Sequence, residues 1–315
     1  MDRIIYCIAR DHDWRITLLA ALICMVGLGV SIRFMERVRP RDRAARRRAA
    51  VIAAVVGGLS IWATHFVAMQ GYIAGVPVRY DPWLTLASLA VILAMSGLTF
   101  ACIQRGKGRA WRMMAAAIAV AGVGAMHYLG MAAIEGPAHI YWDAALVAAS
   151  LGGAMVVGGL TAFFYRRGGP ANLALTATGL SLMVLVLHFV GMAAIAIVPD
   201  PFVLHDHGLS PAAMRLLVGV VLLLVCGVGG VLAVMAYVSR STDLRRIREA
   251  VDAMPDGLGF YDSKDRLVLW NARYAEVNPE LEPHLAVGLT FREALRIGID
   301  EGLSLIHISE PTRRT

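Results

Sequence analysis

Paired cysteines are missing from this chain. Its four, Cys7, Cys24, Cys102 and Cys226, are scattered and never spaced CxxC or CxC. That excludes a disulfide framework and a zinc ribbon and leaves the thiols as small apolar filler. Charge is scarce too: 17% of the 315 residues are charged and 58% are hydrophobic, more apolar mass than a soluble domain carries. Acidic residues avoid the interiors of the apolar runs. Asp81, Glu135, Asp143 and Asp200 stand at their edges, which weighs against a proton-coupled transporter with carboxylates at mid-membrane. There is also no glycine-rich phosphate loop, nucleophile elbow or catalytic carboxylate pair, so these residues carry no expected enzymatic activity.

What is present is apolar length. Seven runs reach the roughly 20 residues that cross a bilayer: Ile16–Met35, Ala49–Ala74, Leu84–Ile103, Arg112–Ile134, Asp143–Tyr165, Asn172–Val198 and Ala212–Val238. The first lacks a small-residue cleavage site and runs into an arginine cluster, so it reads as a span rather than a signal peptide. Basic residues gather in alternate connections: Arg33 to Arg48 after the first run, Arg105 to Arg112 after the third, Arg166 and Arg167 after the fifth, Arg240 to Arg248 after the seventh. By the positive-inside rule the N-terminus is outside and the C-terminus is cytoplasmic, as in a multi-pass membrane protein. The net charge of +7 is then a topology signal, with anionic lipid as a secondary partner and nucleic acid as none.

Three histidines lie inside these runs at nearly equal intervals, each followed four residues later by methionine: His65 and Met69, His127 and Met131, His188 and Met192. Past the first two come Pro77 with Tyr80-Asp81, and Pro137 with Tyr141-Trp142-Asp143. The third copy is looser, with Pro199-Asp200 and no tyrosine. Each copy reads as an outward helix, an external loop and an inward helix, so the repeats are parallel. Positions i and i+4 share a helix face. Three such helices around one axis would set imidazoles under a ring of thioethers nearer the external water. That donor set suits copper, especially Cu(I). Structural histidines copied by duplication and a proton relay are the other readings, and bis-imidazole haem ligation would leave one histidine unused. His205-Asp206-His207, in the last external loop, reads as a weak collecting point or a solvated loop.

The fold class expected is an all-α polytopic membrane protein with a short α/β tail. Residues 1–238 form three two-helix repeats plus one helix, 239–251 a polar signalling helix, and 252–302 a cytoplasmic segment. In the last, Leu258–Tyr261 and Arg266–Asn271 read as a β-hairpin, with short helices over Ala272–Val277 and Phe291–Gly298. Residues 303–315, beginning Leu303-Ser304-Leu305-Ile306-His307, look like a translated sequencing adapter, so they are set aside and the natural chain is expected to continue past Gly302.

These motifs resemble the MHYT family of bacterial integral membrane sensors over about Trp14 to Tyr237. The resemblance implies sensing of copper or of a diatomic gas (oxygen, carbon monoxide or nitric oxide) through a bound copper ion. It also implies His65, Met69, Met126, His127, Met131, His188 and Met192 as metal ligands. Only the middle copy, Met126-His127-Tyr128, keeps the first letters of the family motif; Val67, Leu129 and Val190 stand where it has threonine. Ala250 to Gly302 is similar to the start of a PAS domain, with Met254-Pro255-Asp256-Gly257 and Trp270-Asn271. Family architecture implies a missing diguanylate cyclase, phosphodiesterase or histidine kinase output and a homodimer through linker and PAS.

Overall fold

Three aspartates decide where three long helices begin. Asp13 Oδ1 accepts a hydrogen bond from the Arg15 N–H at 2.8 Å, Asp81 Oδ1 from Leu84 at 2.6 Å, and Asp143 Oδ1 from Ala145 and Leu146 at 3.0 and 3.2 Å. Each carboxylate satisfies N–H groups that a first turn leaves open. A computed structural model describes residues 2–37, 43–106, 108–166, 168–200, 202 and 208–300. A short α1 (Asp2–Arg10) leads into α2 (Trp14–Arg37), the first capped helix. α3 (Arg43–Gln70) returns, α4 (Pro82–Arg105) and α5 (Arg109–Ala132) form a second pair, α6 (Ala144–Phe164) and α7 (Pro170–Ala193) a third, and α8 (Pro211–Asp252) follows. Seven of these, α2 to α8, have the length and apolar composition to cross a membrane. Leu18, Leu22, Val51, Leu86, Val156, Leu160 and Leu223 are all more than half exposed, a surface that hydrocarbon tolerates and water does not.

The chain divides into two compact units, Met1–Val231 and Leu232–Thr315. In the first unit consecutive helices pack side by side and α2 closes on α7, so α2 to α7 form a ring. The histidine-bearing α3 and α7 each pack on α5 and meet each other through His65 and His188; α2, α4 and α6 stand outside. Five residues before each histidine the hairpins cross closely. A Cβ on Gly27 would lie 2.0 Å from Ser60 Oγ, one on Gly122 2.5 Å from Met95 Cβ, and one on Gly158 2.9 Å from Met183 Sδ. Small residues let membrane helices approach where dispersion must replace the hydrophobic effect.

Short ribbons tie the helices at one end: β1 (Arg79–Tyr80) with β2 (Ile134–Glu135), and β3 (Ala138–Trp142) with β4 (Ile195–Pro199), all antiparallel. The third tie is a single bridge, His12 with Tyr72. The backbone N–H of each capping aspartate donates to the carbonyl six residues past a histidine: Asp13 to Gly71 at 2.9 Å, Asp81 to Ala133 at 2.7 Å, Asp143 to Ala194 at 2.8 Å. Two sequence expectations change here. The runs expected to stay helical to Ala74, Ile134 and Val198 stop at Gln70, Ala132 and Ala193; hydropathy alone does not separate helix from half-buried ribbon. The third equivalent of Asp81 and Asp143 is Asp13, not Asp200. Asp200 instead meets His139 Nε2 at 3.0 Å across the β3–β4 ribbon.

In the second unit β5 (Gly259–Tyr261) and β6 (Leu267–Trp270) form an antiparallel hairpin, followed by α9 (Ala272–Val277), a 3₁₀ turn at Glu282–His284 and α10 (Phe291–Asp300). A capping box starts α10: Thr290 Oγ1 accepts from the Glu293 N–H, and Glu293 Oε2 accepts from the Thr290 N–H. Asn271 is fully buried. Its Oδ1 accepts from Leu258 and Tyr274, both at 2.8 Å, and its Nδ2 donates to Val251 O and Asp256 O at 3.1 and 2.9 Å. One side chain thus fastens the end of α8 to the hairpin and α9. Asn271→Leu strips partners from four backbone groups and should cost roughly 2–4 kcal/mol. Amide hydrogen exchange at Leu267–Trp270 is expected to accelerate, with exchange in α3 and α5 unchanged.

Candidate metal centre

His65, His127 and His188 sit near the ends of α3, α5 and α7, and the ring of helices brings them together. Their ring centroids lie 5.0, 5.3 and 5.4 Å apart and their planes cross at 78° to 82°, a three-bladed propeller about the axis. His127 Nδ1 is 3.2 Å and His188 Nδ1 3.4 Å from His65 Nδ1. One nitrogen from each ring lies within 4.8 Å of the others. All three residues are buried.

Two nitrogens bound to one ion at about 2.0–2.1 Å stand about 3.3–3.6 Å apart at trigonal or tetrahedral angles. The observed spacing is close to that. Burial supplies the second argument. A neutral imidazole has one N–H and one lone pair, so three rings facing nitrogen to nitrogen cannot satisfy one another. Nε2 of each ring is buried without a hydrogen-bond partner among the described residues. A cation among the Nδ1 lone pairs would remove the conflict where Nδ1 faces Nδ1, with each proton then on Nε2. The triad could hold a metal ion.

The glycines three positions after His127 and His188 each have a job. A Cβ on Gly130 would lie 2.6 Å from His65 Nε2, and one on Gly191 2.5 Å from His127 Nε2. Each glycine makes room for the imidazole of a neighbouring helix. Met69, Met131 and Met192, one turn toward the ribbons, are buried in the core. A cavity of about 20 Å³ beside the triad is lined by Met126 instead, together with Thr17, Ala20, Thr64 and Ala68. It has room for one water-sized guest. His205, Asp206 and His207 lie outside the described residues.

A layer of rings lids the triad, and the sequence reading missed it. The residue before each capping aspartate packs on the aromatic that follows a triad histidine: Tyr80 on Phe66 at 5.9 Å, Trp142 on Tyr128 at 5.7 Å, His12 on Phe189 at 5.2 Å. The signal was present as ring–Asp pairs at 12–13, 80–81 and 142–143. His12 alone of the three lids also meets a triad ring among the described contacts, His188 at 5.8 Å and 78°. Burial holds the His12 imidazole below its ordinary pKa, against the pull of the Cys7 carbonyl and Asp11, so the ring is neutral near pH 7. Its Nδ1 donates to Cys7 O at 2.9 Å. The Cys7 thiol is pushed up to about 12 by burial, then by Asp11, and stays protonated.

With this geometry in hand, residues 58–116 and 121–179 match the family described as MHYT, the bacterial signalling protein N-terminal repeat. The chain carries MHYT repeats. The matched segments hold His65 and His127; His188 falls outside them, yet completes the same propeller. An uncharacterized signaling protein of Caulobacter vibrioides is 34% identical over 264 residues, 81% of this chain and 32% of that protein. The cyclic di-GMP phosphodiesterase NbdA of Pseudomonas aeruginosa is 35% identical over 156 residues, 46% of this chain and 20% of that protein. The bifunctional diguanylate cyclase/cyclic di-GMP phosphodiesterase MucR of the same organism is 30% identical over 145 residues, 44% and 21% of the respective chains. The chain thus spans a third or less of the length of these curated relatives. No solved structure matches it.

Gly191→Ala puts a methyl where His127 now sits. Overpacking of this kind costs about 1–3 kcal/mol, against a helix-propensity gain of about 1 kcal/mol. Gly152, exposed on α6 with nothing near its missing Cβ, receives only the gain. Thermal unfolding in detergent should therefore show Gly191→Ala melting below the wild type and Gly152→Ala at or above it.

Proposed function

We propose that this chain is the membrane-embedded sensing part of a bacterial signalling protein, holding copper between His65, His127 and His188. The signal is copper itself or a diatomic gas that binds at that copper from the external side. The observation that carries the reading is the convergence of three buried imidazoles, with the Nδ1 atoms of His127 and His188 3.2 and 3.4 Å from that of His65 and all three ligand atoms within 4.8 Å of one another. Imidazole suits zinc as well as copper; the Met126 thioether at the adjoining cavity is the donor that favours Cu(I). Bound copper would supply a soft Lewis-acidic site with open coordination.

The chain's own residues do the rest. Gly130 and Gly191 make the room that the His65 and His127 rings occupy. Met126 borders the cavity with Thr17 and Thr64, giving a thioether and two hydroxyls to any small guest. Met69, Met131 and Met192 belong to the proposed ligand set as reserve thioethers one turn away and meanwhile seal the ribbon side against bulk water. A cavity of about 20 Å³ leaves no space for a haem, since pockets for ligands of that size run to hundreds of Å³.

Downstream, α8 passes through residue 238 without a break and leads into the segment fastened by Asn271. In this reading that segment opens a cytoplasmic PAS module, the chain dimerises through α8 and PAS, and an output module for cyclic di-GMP or phosphotransfer lies beyond. The names of the two Pseudomonas relatives favour cyclic di-GMP.

Purified in detergent and reconstituted with Cu(I), the wild type should retain about one copper per chain. His127→Ala and His188→Ala should each lower copper affinity by roughly tenfold or more, and Asp200→Ala should leave it unchanged. Wild-type protein that retains no copper by elemental analysis would falsify the reading. Alkaline phosphatase fused after residue 136 should be active and after residue 106 silent, as the external placement of the ribbons requires.

A further inference from the structure

The three outer seams of the bundle are not alike. Where α3 meets α4, the lid is Tyr80 and Ser88 below it accepts a hydrogen bond from Trp62 Nε1 at 3.1 Å. Where α5 meets α6, the lid is Trp142, and Ser150 bonds Tyr128 Oη. Ser88 and Ser150 each lie seven residues past their capping aspartate; the same position after Asp13 is Ala20. At the seam of α7 with α2, then, the lid is His12 and the residue below is an alanine without a hydroxyl. The cavity beside the triad runs to this seam. Its wall takes Thr17 and Ala20 from α2 and Leu185 and Phe189 from α7, and no residue from α4 or α6.

His12 is not itself in the cavity wall but packs on two residues that are, His188 and Phe189. It is 5% exposed, and its Nε2 is buried without a partner among the described residues. Nδ1 is committed to the Cys7 carbonyl, which fixes the proton there and leaves a bare lone pair on Nε2. An imidazole anchored through one nitrogen to a backbone carbonyl, with the other free, is the posture of a metal-binding histidine. Phenylalanine or tyrosine would close the lid as well; only an imidazole adds a donor that touches His188.

We infer that His12 is an accessory metal-binding residue, a transfer ligand that takes a soft monovalent cation at the ribbon end and passes it to His188. The inference rests on the copper reading of the triad. It gives the buried site a way to fill and empty without unfolding the propeller. No electron moves and no bond to carbon changes: one nitrogen donor replaces another.

The test is a rate. Full chain in lipid nanodiscs is mixed with Cu(I) held by a chromophoric chelator, and uptake is followed as the chelator's colour fades. His12→Phe restores a purely aromatic lid; His12→Gln keeps a polar side chain without imidazole. Both should load about tenfold more slowly or worse and reach the wild-type copper content at the end, which also reports that the triad has folded. Loading at the wild-type rate in both variants overturns the transfer role while the copper reading stands. Loss of final copper content in both overturns it too, because His12 would then belong to the resting site. A wild type that takes up no copper removes both readings together.

Discussion

Three imidazoles at the axis of an apolar bundle impose a constraint that much of this molecule answers. Each ring has a nitrogen that its neighbours cannot satisfy, and each is too bulky to stand beside a helix bearing ordinary side chains. The second problem is solved by subtraction: glycine at 130 and 191 opens a notch in the neighbouring backbone. The close crossings at Gly27, Gly122 and Gly158 bring the hairpins near enough for the rings to meet. The first problem has no solution among the described protein groups, and the facing Nδ1 atoms form a cluster that could hold a metal ion.

The capping aspartates and ribbons bring the propeller to one level. Each aspartate uses its side chain to begin one helix and its backbone N–H to hold the end of another, always six residues past a histidine. The depth of each imidazole is therefore fixed relative to the start of the next helix around the ring. A shift of one histidine along its axis would strain a cap, and a slipped cap would move a histidine.

Much of this was legible in the chain. The seven spans follow from apolar length, and the triad follows from three histidines at one period. The third aspartate was not, because the repeat was read forward from each histidine, whereas the ring closes backward: the partner of α7 is the first long helix. Asp13 lies far from His188 in sequence and beside α7 in space, and no linear pattern points to a closure of that kind. His12 was hidden for the same reason, and because imidazole stands where its counterparts are tyrosine and tryptophan. The apolar run at Ile195–Val198 went to helix since hydropathy does not see the β3 partner that holds it extended. The methionines were legible as residues on the histidine face, but which thioether borders the void depends on packing among helices: Met126 does, one residue before its histidine.

A ring closed from an open chain has one junction with no connecting loop, here between α2 and α7. Every other neighbouring pair is tethered by a short stretch of chain, so parting them would stretch a connection; this pair can separate without lengthening anything. Across it lies α1, joined to α2, packed on α7 and reaching the α6 cap through Arg3 and Asp143 at 3.6 Å. Nine residues thus act as the clasp of the barrel, and the bundle is mechanically a bracelet rather than a solid hoop.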